Sequence, residues 1–274
     1  FPDTQTIAEE ASDWPGITLA TSKGGFGFGM KWMMGWMHDT FRYFKLPPAA
    51  RVNEQDKFTF SIMYFYDEKF MLPLSHDEVV HGKSPMIYKM PGDEWQKFAN
   101  LRLLYTYMFT HPGAKLLFMG NEFGQTTEWN YRSELDWELL QFEPHNKLQE
   151  CVRELNHLYR HNPALHEYQF DRKGFEWVSL DNRHEGIIVY KRKGKHRADD
   201  IVIILNVSAT DYNEWKLELK GKTQWVEIFN SNDIAYWGNG QHVNTPVTIT
   251  AIDKKKKIYE INTAIPALSA VIFR

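Results

Sequence analysis

The 274-residue chain has a single cysteine, Cys151, so neither an intrachain disulfide nor a multi-cysteine metal site is available to it. That usage suits a reducing, cytoplasmic setting. Also missing is any run near the roughly 18 apolar residues that a membrane helix requires. The longest aliphatic block, Ile201–Leu205, is strand-sized, and the chain is not expected to span a membrane. It has no excess of positive charge: 32 Lys and Arg stand against 35 Asp and Glu, a formal net charge of −3. That balance argues against nucleic acid as a partner, because phosphate backbones call for a cationic surface. The sequence starts at Phe1 with no basic n-region and no apolar h-region, so it is not expected to be a secretory precursor and reads as a piece of something longer.

What is present is the composition of a folded protein, 43% hydrophobic and 24% charged, which excludes disorder, collagen and coiled coil. Two domains fit the length at about 150 residues each. Aromatic residues reach 15%, with 10 Trp, 13 Tyr and 18 Phe. Such flat side chains bury well and also stack on the apolar faces of ligands, so sugar binding is worth testing. Charge is unevenly spread. Residues 1–170 carry 16 basic and 22 acidic side chains, whereas 171–274 carry 16 and 13, which suggests two differently built halves.

Up to about residue 168, short apolar strand candidates alternate with longer helical stretches, the pattern of α/β architecture with a parallel sheet. The strands are read at Thr4–Ala8, Gly27–Lys31, Phe70–Leu74 and Lys115–Met119, enough for half of a closed barrel. Helices are read at Gly35–Lys45, Glu54–Tyr66, Glu94–Thr110 with Asp93 as its N-cap, and Asn146–Tyr159. From Tyr168 helical periodicity disappears. Eight strand candidates follow at intervals of about ten residues, a β-sandwich signature: 177–180, 187–192, 201–207, 215–219, 225–229, 247–252, 258–261 and 267–273. The boundary is placed near Glu167, giving domains 1–167 and 168–274. The basic runs Lys191–Arg197 and Lys254–Lys257 read as solvated hairpin tips.

Chemistry is sought where barrel strands end, since that face carries the active site in such folds. Two acidic clusters qualify. In the first, the strand candidate runs into Glu9 and Glu10 ahead of Trp14-Pro15-Gly16. Side chains alternate along a strand, so only one of that pair can enter the barrel mouth while the other faces outward or pairs. The second, Phe70 to Lys83, places an apolar strand directly before Ser75-His76-Asp77-Glu78. Two strands ending in carboxylates suit glycoside chemistry, in which carboxyl groups flank the bond being broken. A zinc reading fails because His76 and His81 are five apart rather than at helical spacing. The glycines at 24–29 and 120–124 match no phosphate cradle, and no Ser or Cys stands in a nucleophile elbow. No metal and no organic cofactor is expected.

Four segments together resemble a known family. Ala8-Glu9-Glu10 with Trp14-Pro15-Gly16, Lys31 to Asp39, Leu72 to Lys83, and Gly120 to Gln125 with Glu128-Trp129-Asn130 are similar, in order and spacing, to the 1,4-α-glucan (glycogen) branching enzymes of the α-amylase superfamily. The resemblance implies strands five to eight of a (β/α)8 barrel followed by a carboxy-terminal antiparallel β-sandwich. It implies that Glu9 is the general acid/base, that His76 and Asp77 bind sugar hydroxyls and stabilise the transition state, and that Trp32, Trp14 and Lys31 lie along an α-glucan such as glycogen or amylose. The chain departs from the family at Ala11-Ser12, usually Ser-Thr, and at Met33, usually Asn; both put specificity rather than reaction class in question. The family's covalent nucleophile, an aspartate ending the preceding barrel strand inside an Arg-x-Asp motif, has no counterpart here. The isolated chain is therefore expected to be inactive and to need the upstream part of the same enzyme. The rival expectations are a related α-glucan hydrolase, debranching or trehalose-releasing, and a non-catalytic glucan-binding fragment.

Overall fold

A computed structural model describes residues 3–222, 224–241 and 247–274. The first half holds a four-stranded parallel sheet in the order β1 (Ile7–Ala8), β2 (Met30–Trp32), β3 (Phe70–Leu74) and β4 (Ala114–Leu117). Between β2 and β3 run α1 (Met34–Phe44) and the short α2 (Pro48–Arg51) and α3 (Gln55–Thr59). Helix α4 (Glu94–Thr110) returns the chain from β3 to β4, and α5 (Glu143–His161) follows.

The ends of these elements have local causes. Asp93 caps α4 as expected: its carboxylate accepts from Gln96 N at 2.8 Å, while Gln96 Oε1 accepts from Asp93 N at 3.0 Å. Strand β2 begins three residues later than expected because Gly27 lies at φ 78° and donates to Leu19 O, placing 27–29 in a turn. The first strand candidate shrinks to Ile7–Ala8, since β1 pairs with β2 alone and only through two residues. The helix expected at 54–66 stops at Thr59, whose hydroxyl donates back to Gln55 O at 3.1 Å and Asp56 O at 3.3 Å, and a 3-10 turn, Phe60–Met63, continues it.

All eight later strand candidates are present, with edges shifted by a few residues. Strands β5 (Phe175–Ser179), β6 (Ile187–Arg192), β7 (Ile201–Asn206), β12 (Ser269–Phe273) and β9 (Glu227–Asn230) form one antiparallel sheet in that order. A second antiparallel sheet has the order β10 (Thr248–Asp253), β11 (Ile258–Ile265), β8 (Tyr212–Lys220). Strands β6 and β7 are buried at every residue on both faces, which explains the apolar runs Ile187–Tyr190 and Ile201–Leu205 within them. Ile187, Val189, Val202 and Ile204 pack on Trp215, Leu217 and Ile261 of the small sheet, and the alternate residues Ile188, Tyr190 and Ile203 join the core built by α1 and α4. Strand β8 keeps one wet face, as its strict alternation requires.

Three buried arginines cross between the halves. Arg51 donates to Val207 O at 3.1 Å and Asn100 Oδ1 at 2.7 Å, Arg102 to Ser231 O at 2.8 Å, and Arg192 to Thr110 O at 2.7 Å, Leu165 O at 3.2 Å and Gly174 O at 3.1 Å. Burial pulls each guanidinium's pKa down to about 10, and all three stay charged at neutral pH. Replacing Arg192 with Met should strand three carbonyls and cost about 3 kcal/mol or more of stability. A urea midpoint unchanged in Arg192→Met would show that the seam does not depend on those bonds.

Candidate active site

At the carboxyl end of β1 the two glutamates part company. Ala8 is buried, Glu9 is exposed, and among the described residues Glu9 makes no hydrogen bond or ion pair. Glu10 turns to the buried Lys31 on β2, Oε2 to Nζ at 2.7 Å, and accepts Ser12 N at 2.6 Å. Lys31 also donates to Ser12 O at 2.6 Å, which ties the 10–14 loop to β2. The Lys31 bond, then those from Ser12, holds the Glu10 carboxyl at about 2. A group so acidic is ionised throughout the physiological range.

The loop continues over a cavity of about 450 Å³ lined by Glu10, Trp14, Lys31, Trp32, Tyr64 and Glu68, among others. Trp14 is 63% exposed there and Trp32 is half-buried. The far side of the loop is pinned by Glu68, which accepts Ile17 N at 2.7 Å and Thr18 N at 2.8 Å. Sequence reasoning missed Glu68; nothing in the Asp67-Glu68-Lys69 turn marks it out.

The second acidic cluster forms a single 3-10 turn, His76–Glu78, directly after β3. His76 Nε2 lies 2.9 Å from Asp77 Oδ1, and both side chains are about 40% exposed, at 40% and 42%. The imidazole rests on Phe118 and Trp129, with ring centroids at 5.8 and 6.2 Å. Trp129 is held in turn by its N–H on Val79 O at 2.8 Å. Glu128 accepts Ser84 N at 2.8 Å and Gly82 N at 3.0 Å, and these backbone bonds lower its pKa. The loop following His76–Asp77 is therefore tied to the segment after β4. Phe118 was not anticipated as a support for His76, since only tertiary packing brings it there.

The structure thus gathers Trp14, Lys31 and Trp32 with Glu10 around one cavity. Glu9, His76 and Asp77 do not line it; they stand at the carboxyl ends of β1 and β3, with β2 between. Lys31, expected along the sugar, has its ammonium engaged by Glu10 and Ser12. Among the described residues no group of three or more His, Cys, Asp or Glu side chains is placed to hold a metal ion. Nor is any helix among them long and apolar enough to cross a membrane.

Over all 274 residues the chain is 44% identical to the 1,4-alpha-glucan branching enzyme GlgB of Aquifex aeolicus, and over 273 residues 44% identical to that of Nitrosococcus oceani. Along its whole length the chain is similar to 1,4-alpha-glucan branching enzymes. It spans 44% of the length of the first of these relatives and 36% of the second. Residues 177–274 match the family described as "Alpha amylase, C-terminal all-beta domain", so the branching-enzyme match is to the carboxy-terminal part of such proteins. The fold is also that of more distant structures. The debranching enzyme of Nostoc punctiforme superposes with a TM-score of 0.64 at 13% identity, covering 99% of this chain and 52% of that one. The alpha-amylase of H. orenii gives 0.59 at 15% identity, covering 98% and 53%.

Lys31→Met should release Glu10, and its titration should rise from about 2 toward the ordinary 4.5. An acid depressed in this way favours the folded state above its ordinary pKa, and that contribution is lost as pH falls toward about 2. Carboxyl carbon NMR across that range would check it; a Glu10 titration near 2 in both proteins would contradict the pairing.

Proposed function

We propose that the chain is the carboxy-terminal portion of a glycogen branching enzyme that cuts an α-1,4-linked glucan and passes the cut segment to a 6-hydroxyl, making an α-1,6 branch. In this reading β1 to β4 are strands five to eight of a (β/α)8 barrel, residues 1–167 belong to the catalytic barrel, and 168–274 form the terminal β-sandwich domain. Glu9 is the general acid/base, and His76 and Asp77 hold sugar hydroxyls and stabilise charge as the ring flattens. Trp14 and Trp32 offer flat faces to the glucan, and Lys31 acts by fixing Glu10.

One observation carries this reading more than any other: Glu10 is locked by Lys31 while its neighbour Glu9 is free at the strand end. A retaining transfer needs a carboxylic acid that can give its proton to the leaving oxygen and take another back. A carboxyl held at about 2 is poorly matched to that cycle, and an unpaired one can be tuned by whatever covers it. That β1 and β3 are alternate strands also supports convergence, because alternate strands of a barrel contribute to one layer of inward side chains. A cytoplasmic location agrees with Cys151, buried and held as a thiol by desolvation at a pKa of about 12.

The glycosyl-enzyme intermediate requires a nucleophile, which we assign to the part of the parent enzyme beyond these residues. The chain alone should therefore leave amylose unbranched when iodine colour and α-1,6 linkages by NMR are followed. In the enzyme that contains this chain, Glu9→Gln should lower turnover by about a hundredfold or more with an unchanged melting temperature. Near-normal branching by that variant would move the acid to another carboxylate.

A further inference from the structure

At the carboxyl end of α1, a cavity of about 350 Å³ is lined by Lys45, Lys83, Lys89, Tyr88 and Ser84, with no carboxylate among its lining residues. At about 30 Å³ per water, that volume admits roughly ten water molecules, or a phosphoryl group and part of what carries it. Lys89 is the unusual member. Its residue surface is only 7% exposed, and its Nζ donates to Lys83 O at 2.5 Å; among the described residues it has no acidic partner at ion-pair distance. Lys45 and Lys89 both place their ammonium groups over the ring of Phe41, at 6.0 and 5.8 Å from its centroid.

Three like charges around one cavity repel, and a buried ammonium with one backbone acceptor leaves donors unsatisfied. Burial, then Lys45, pushes the Lys89 pKa down, while Glu78 and Glu128 act in the opposite direction. Neither glutamate lines the cavity, and Glu128 is spent on Gly82 N and Ser84 N. The loop that brings Lys83 beside Lys89 passes through Ser84 in the left-handed region, at φ 67°. An oxyanion would answer each of these costs: its oxygens accept the free protons of Lys89, its charge offsets the three lysines, and the exposed Tyr88 can add a hydroxyl donor.

The geometry points to a binding site for a phosphate-class oxyanion between Lys45, Lys83 and Lys89, either inorganic phosphate or the phosphate monoester of a sugar. An anion seated there also grips the loop that leads away from His76 and Asp77, because Lys83 lies on it. The site is independent of the catalytic reading given above.

Calorimetric titration of the full chain with inorganic phosphate, and separately with glucose 6-phosphate, tests this at ionic strength matched with sodium chloride. Saturable one-to-one binding is expected. It should weaken about tenfold or more in Lys89→Met, and similarly in the double variant Lys45→Gln/Lys83→Gln, whose side chains are exposed and whose fold should be intact by circular dichroism. Glucose 6-phosphate binding more tightly than phosphate would identify the sugar phosphate as the occupant, and the reverse order the free ion. Absence of saturable binding of either below about 10 mM would overturn the site. So would binding that the double variant leaves unchanged, whether or not Lys89→Met folds.

Discussion

Three guanidinium groups, on Arg51, Arg102 and Arg192, with no carboxylate partner among the described residues, sit where the parallel sheet's helices meet the five-stranded antiparallel sheet, and the geometry of both halves depends on what they hold. Moving such a group out of water costs several kcal/mol, which a few well-placed acceptors must offset. Here the acceptors are mostly main-chain carbonyls at element ends: Phe44 and Leu46 after α1, Thr110 at the end of α4, Val207 after β7 and Ser231 after β9. Each bond fixes an end of an element rather than a side chain, so the arginines set where helices stop relative to strands. Since α4 is the connection between β3 and β4, fixing its end against β6 through Thr110 and its middle against the end of β9 through Arg102 also constrains how those two strands lie. The position of His76 and Asp77 after β3 is therefore partly determined by the all-β half, far along the sequence.

Carboxylates do the corresponding work at the candidate active site, on loops rather than at element ends. Glu10, Glu68 and Glu128 each accept backbone N–H groups, from Ser12, from Ile17 and Thr18, and from Gly82 and Ser84. Three acids thus hold two loops, leaving the neighbouring Glu9 and Asp77 with exposed oxygens. Aromatic packing supplies the remaining constraint, since Phe118 and Trp129, themselves 5.1 Å apart in an edge-to-face pair, set the plane of His76.

Much of this was legible in the sequence where one local rule dominated. Strands β3 and β6 and helix α4 keep the bounds that apolar patterning and the Asp93 cap predict, because burial on all sides and a capping box leave no competing register. The differences fall where a single hydrogen bond decides. Gly27 turns because Leu19 accepts its N–H, and the helix after Glu54 gives way at a back-bonding threonine. Strand alternation leaves one of Glu9 and Glu10 to face outward or pair and cannot name a partner, since Lys31 lies across a strand pairing. Lys31, expected along the sugar, is a residue type that suits that role and a structural one alike, and its bonds to Glu10 and Ser12 appear only in the fold. The arginine seam left no trace, because a buried and an exposed arginine look alike in one dimension.

The contrast between Glu9 and Glu10 shows how one backbone can prepare two adjacent identical side chains for different work. Strand geometry sends them to opposite sides, and a lysine on the next strand then decides which becomes structural. Once Glu10 is committed to Lys31 and Ser12, its charge is permanent near neutral pH and its position is fixed, so it can shape the field at the strand end without exchanging protons there. Glu9, by contrast, is exposed and makes no hydrogen bond or ion pair among the described residues. Exchanging the two roles would require Lys31 to reach the other side of β1, which the parallel pairing of Ala8 with Lys31 does not permit without a one-residue slip of the ladder. Which of the two carboxylates is paired is in this sense a consequence of register, settled when β1 docks on β2.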